Sequence, residues 1–165
     1  MHDSKVDNAE DVARAIFFPV MVDASGKVTK AAFYLRHNES YFSVARMSVD
    51  SWKKDILAIP QNEEHKLIGY AKMNVGAIRG LDLSFFGKQI SLDVKSYSSQ
   101  RNESHAGIVV TYDNATLKGD KVRILKPIPE GTPASMILLK IQNQLAKLAD
   151  KGLVIDVLVE KDVAI

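Results

Sequence analysis

The chain has no cysteine among its 165 residues. That single absence excludes disulfides, cysteine-ligated zinc, iron–sulfur clusters and thiol nucleophiles. Proline is sparse, at 5 residues, and there is one tryptophan. No apolar run nears the roughly 20 residues a helix needs to cross a bilayer. The opening MHDSKVDNAED is polar and acidic and lacks the apolar stretch of a secretion signal. Charge of one sign is missing too: 22 basic against 20 acidic residues leave +2, without the basic stripe of a nucleic-acid binder. The expectation is a soluble, cytoplasmic chain that engages neither membrane nor nucleic acid.

What is present is ordinary for a globular protein, 46% hydrophobic and 25% charged. The length suffices for one hydrophobic core. Residues 1–11 show no periodicity and read as a flexible arm, leaving 12–165 as a single domain. The run VARAIFFPVMV (12–22) is apolar, but Pro19 removes a ladder donor, so it reads as an edge strand or two short extended pieces. VTKAAFYL (28–35) reads as a second strand and YFSV (41–44) as a third, which together suggest a β-meander. Asp50 or Ser51 suits the cap of a short helix ending before Pro60.

Further along, 67–75 reads as a strand and 76–83 as one short helical turn. Ile90, Leu92 and Val94 alternate with Ser91 and Asp93, the period of a half-buried strand. Strands at 106–112 and 121–125 follow. The clearest helix spans about 133–151, capped by Thr132, with Pro133 at its first position and Gly152 at its stop. Ile137, Leu138, Ile141, Leu145, Leu148 and Ala149 give it one apolar face. LVIDVLV (153–159) then reads as a strand buried on both faces or nearly so. The fold class is therefore α+β: a mostly antiparallel sheet, one long amphipathic helix packed on it, and one or two short helices.

Chemistry concentrates in RNESHAGIVV (101–110), where Ser104 and His105 stand at the mouth of an apolar strand. An imidazole there suits a general acid or base, with Ser104 as its catalytic companion and Ser104, Glu103 or Arg101 arranging substrate. A structural histidine bound to a main-chain carbonyl is the plainer account. Arg46 follows Ser43 in YFSVARMS and suits a bidentate clamp on phosphate or carboxylate. Arg14 interrupts an apolar strand, where a guanidinium requires a partner such as Asp93. There is no phosphate-binding glycine loop, no HExxH and no metal spacing among the histidines at 2, 37, 65 and 105, so neither cofactor nor metal is implied. KGDKVRILK (118–126) reads either as a basic binding surface or as charge that protects an edge strand.

RAIFFPVMVDASGKVTKAAFYL, YFSVAR and NESHAGIVV together resemble an uncharacterised group of small bacterial proteins, over about residues 14–110. That group carries an early Arg, a Gly-x-Val-Thr-x-x-Ala-Phe segment, a Leu-Ser-Val run and an Asn-Pro-x-His-Ala element. Here Glu103 stands in place of the proline, Tyr41-Phe42-Ser43-Val44 matches the Leu-Ser-Val run loosely, and 127–165 has no counterpart. The resemblance implies no activity but groups Arg14, Ser43, Arg46 and His105. Three readings stay open. One is a module binding a small anionic ligand or a protein partner around His105, Arg14 and Arg46. Another is a small enzyme on a phosphate- or carboxylate-bearing, nucleotide-like substrate, with His105 as acid/base. The third is a phage-defence or immunity-type interaction protein.

Overall fold

The computed structural model describes residues 5–35, 39–113, 115–116 and 133–155. The strands are β1 (Asp11–Phe18), β2 (Phe42–Arg46), β3 (Lys66–Asn74), β4 (Leu83–Phe85), β5 (Lys88–Ser96), β6 (His105–Tyr112), β7 (Ala115–Thr116) and β8 (Leu153–Ile155). The helices are α1 (Trp52–Leu57), α2 (Val75–Arg79) and α3 (Pro133–Lys151). The fold is α+β. Among the described residues every ladder is antiparallel, and the sheet runs β4-β5-β6-β2-β1-β3-β8 with β7 beside β6.

Period-two burial forms the strands as alternation predicts. Leu67, Gly69, Ala71 and Met73 of β3 are buried, as are Ile90, Leu92 and Val94 of β5. In α3, Ile137, Ile141, Leu145, Ala146 and Ala149 recur at helical spacing and are buried. Gly152 passes α3 directly into β8, and a Cβ there would collide with the Lys72 carbonyl oxygen. Only glycine lets the helix end this close to β3.

Three strand assignments change. β1 is a central strand between β2 and β3, since Pro19 lies just beyond its end and removes no ladder bond. Residues 28–35 do not form a strand, so the meander is absent. After a bridge between Val22 and Val28 the chain makes a single 3-10 turn at Lys30–Ala32. Side chains take the main-chain bonds a ladder would have used: Asp150 accepts from Val28 N at 3.0 Å, Arg14 donates to Ala32 O, and Gln142 donates to Phe33 O at 2.6 Å. In β8, Val154 and Ile155 are exposed rather than buried on both faces. The extra strand β4 forms a hairpin with β5 through Phe86 and Gly87, both at positive φ. Thr132, the strand at 121–125, the 118–126 segment and residues 156–159 lie outside the described residues.

The segment read as an arm is tied down from residue 5. Val6 is buried, Asn8 O accepts from Gly76 N and Asn74 Nδ2, and Glu10 O accepts from Val75 N. These long-range bonds leave no periodicity in the sequence to reveal them.

The cross-strand register sorts the side chains of the sheet centre into two faces. Val12 pairs with Met73, Phe42 with Ile108, Val44 with Ala106 and Leu92 with Val110, giving a continuous apolar face. Phe33 meets Phe42 edge-on at 5.9 Å and is tied to α3 through Gln142, so the long helix closes this side. The opposite face is carried by Ala13, Ala15, Ser43, Ala45, His105 and Gly107. Its cover is α1, where Trp52 packs edge-on against Tyr70, the cross-strand neighbour of Ala15.

Candidate functional site

Small side chains open a hollow on that second face. β1 and β2 share only two paired positions, Val12 with Arg46 and Ala13 with Ala45. Beyond Ala13, β1 pairs with β3 alone. The strands part there, and the faces of Ala13, Ala15, Ser43 and Ala45 fill little of the gap. The resulting cavity measures about 220 Å³. Its polar lining includes Arg14, Glu39, Ser43, Asp55, Asn102 and His105, and its apolar lining includes Phe17, Met21, Ile56 and Ile59.

Register delivers His105 to the cavity. Ala13 faces Ala45, and Ala45 faces His105, so the ring continues a row of alanines. Ser43 faces Gly107, two residues along β6, and its hydroxyl reaches His105 Nε2 diagonally at 3.3 Å. Gly107 is there because Tyr41 lies flat across it; a Cβ would stand 2.5 Å from the ring. Tyr41 in turn stacks on Tyr97 at 4.2 Å and meets His105 at 5.6 Å, walling one side of the imidazole. The imidazole also hydrogen-bonds the Tyr97 backbone. With that bond made by Nδ1–H, Nε2 is left to accept the Ser43 proton. Burial pushes the His105 pKa below its usual value, against the opposing pull of the Tyr97 bond and the Glu39 and Asp55 charges. The ring is thus neutral at physiological pH, the form that accepts a proton.

The other sequence-derived candidates separate. Arg46 precedes no part of the cavity: alternation turns it to the apolar face, 4% exposed, where Nε and Nη2 donate to the Glu10 carboxylate at 2.9 Å each and Nη2 also to Lys5 O. Arg14 lines the cavity, but its partners are not the expected Asp93. Nε and Nη2 donate to Ala32 O at 3.0 and 2.9 Å, Nη1 donates to Ser43 O at 2.6 Å, and the guanidinium lies 5.5 Å over Phe33. It bridges the split between β1 and β2 and satisfies a carbonyl the missing ladder leaves over. Asp93 pairs with Arg79 instead, at 2.7 Å.

Ser104 is fully buried and lies outside the cavity lining. Its Oγ and N donate to Asp55 Oδ2 at 2.5 and 3.2 Å, which pins α1 to the mouth of β6. Ser51, at the α1 cap position, makes no cap bond; its hydroxyl donates to the same Asp55 oxygen at 2.9 Å. Arg101 is exposed in the Ser99–Asn102 turn and does not line the cavity.

Among the lining residues that escaped the sequence reading are Glu39, Asp55, His65 and Asn102. His65 stacks on Phe17 at 3.7 Å with the two rings nearly parallel. Asn102 Oδ1 is buried and makes no hydrogen bond among the described residues. Asp55 sits on a short helix 49 residues from the serine it binds, and nothing local in the sequence announces such a partnership. Among the described residues no three His, Asp or Glu gather as a metal-ligand set. No helix among them is long and apolar enough to cross a membrane. No protein-family model, curated protein or solved structure matches the chain.

Proposed function

We propose that the protein binds a small organic molecule in the hollow over His105. One observation carries the reading: a cavity of about 220 Å³ brings an unpartnered buried amide oxygen, a carboxylate, a hydroxyl and a neutral imidazole against an apolar wall. A few convergent polar groups in a mostly apolar concavity are the usual make-up of a ligand site. Size supports a compact occupant, since a cavity of about 150 Å³ already admits benzene. One ring with a short substituent fits the space. The anion clamp read from the sequence loses support, because Arg46 is engaged with Glu10 on the other face of the sheet.

The test is fragment titration of the 15N-labelled full chain, using single-ring compounds of anionic, neutral and cationic type. Binding in the hollow moves the amide signals of Ser43, Asn102 and His105 together. Shifts scattered over the surface, or none, would remove the reading.

A second reading, a small enzyme with His105 as acid/base, is favoured by the contact between Ser43 Oγ and His105 Nε2. A hydroxyl beside a neutral imidazole, itself oriented by a third group, is the arrangement of an activated nucleophile. Ser43 takes the place that Ser104 held in the sequence reading. Release of p-nitrophenol from p-nitrophenyl acetate by the wild type, lost in both Ser43→Ala and His105→Ala, supports it; equal rates in all three proteins exclude it.

A further inference from the structure

Donors and acceptors are unevenly shared around the hollow. The guanidinium on its wall directs Nε, Nη1 and Nη2 to main-chain carbonyls. The second early arginine is on the opposite face of the sheet, held by Glu10. Acceptors are in surplus. Asp55 receives Ser51 and both Ser104 donors on Oδ2, and Oδ1 has no partner among the described residues. Asn102 Oδ1 is buried without a donor. A buried acceptor left without a donor costs stability, so an occupant that supplies N–H groups gains what the empty hollow forgoes. Phe17, Met21 and Ile59 supply the apolar wall for the rest of such a molecule.

We infer that the hollow selects a small cationic ligand, an ammonium or amidinium group on one ring or a short apolar chain. Its N–H groups point to Asp55 and Asn102, and its apolar body lies against Phe17, Met21 and Ile59. The inference rests on the hollow being a ligand site and names what that site takes. An amidinium beside a carboxylate forms paired charge-assisted bonds that a neutral amide of the same shape does not.

Three probes of one shape and different charge decide it: benzamidine, benzamide and benzoate, titrated into the 15N-labelled full chain. Benzamidine should bind about tenfold tighter than either of the others, the ratio that corresponds to one charge-assisted bond. Asp55→Asn should reduce benzamidine affinity about tenfold and leave benzamide unchanged. Because Asp55 also anchors Ser104, Asn102→Leu serves as a second variant that removes an acceptor without touching that anchor, and it should weaken benzamidine as well. Benzoate or benzamide binding best, with shifts at Ser43 and His105, overturns the cationic class while the ligand site stands. Benzamidine bound equally by wild type and both variants overturns it too. If none of the three moves the signals of the hollow, the class and the site fall together.

Discussion

The two faces of the sheet centre come from the same strands, yet they behave as opposites. On one, Val12, Phe42, Val44, Ile108 and Val110 interlock and α3 closes over them. On the other, alternate residues of those strands are Ala13, Ala15, Ser43, Ala45 and Gly107, and they leave a hollow. One face spends its side-chain volume on packing; the other withholds it. The same alternation separates the polar groups. Arg46 and Glu10 form an enclosed ion pair on the packed face, whereas His105, Ser43 and Asp55 surround the hollow. Neighbouring positions on one strand thus divide the packed face from the lining of the hollow, as Arg46 and Ala45 do.

The sharpest break between the faces is Phe42→Ala. Phe42 is 1% exposed, and its truncation should cost about 3–5 kcal/mol in denaturant unfolding, the cost of a fresh core cavity. A loss below about 1 kcal/mol would mean that the two faces do not differ in packing.

Glu10→Gln comes next, at about 3 kcal/mol near pH 7, because it leaves the enclosed Arg46 charge uncompensated. Its pH dependence is a stricter check. Burial raises the Glu10 pKa, but hydrogen bonds from Arg46, Ser48 and Asp7 N and the Arg46 charge outweigh it and bring the pKa from 4.5 down to about 2. A lowered folded-state pKa gives stability that is complete above the unfolded value and is lost as pH falls through the folded one. Wild-type stability should therefore decline between pH 4.5 and about 2, and Glu10→Gln should lack that part of the decline.

Ala15→Leu puts volume into the hollow instead of removing it from the core. Stability should change by less than about 1.5 kcal/mol, since the added atoms enter empty space. Fragment binding at Ser43 and His105 should vanish. Binding that persists undiminished places the ligand elsewhere.

The smallest effect belongs to His105. Its folded pKa lies below the usual 6.5, so the unfolded chain takes up the proton more readily. Stability from the neutral ring is full above pH 6.5 and is lost as pH falls through the folded value. The ring-proton NMR titration should have its midpoint below 6.5, and His105→Ala should move Tm by only a few degrees. A midpoint above 6.5 would show that Glu39 and Asp55 outweigh burial.

The strands at 67–75 and 89–94 and the helix at 133–151 were legible because each shows its own period of burial over many residues. The segment 28–35 was not. VTKAAFYL has strand composition, but Asp150, Arg14 and Gln142 capture its main-chain groups from 122, 18 and 109 residues away. At the site, His105 and Ser43 stood out as polar groups beside apolar strands. Arg46 stood out equally and belongs to the ion pair, because strand parity, not sequence proximity, sets the face. Asp55 and His65 had no local signature, since each acts through a partner distant in sequence, and Asn102 differs only in a buried oxygen that the fold leaves without a donor.

By itself the sequence determined the fold class, the long helix and its buried stripe, and the exclusion of thiol chemistry. Those follow from composition and from periodicities written within each segment. Tertiary structure alone decided which strands are central, that β1 and β2 part after one pair of alanines, and that oxygens of Asp55 and Asn102 are left at the hollow without a donor among the described residues. Those depend on pairing register and on hydrogen bonds closed between distant residues, and no local pattern encodes either.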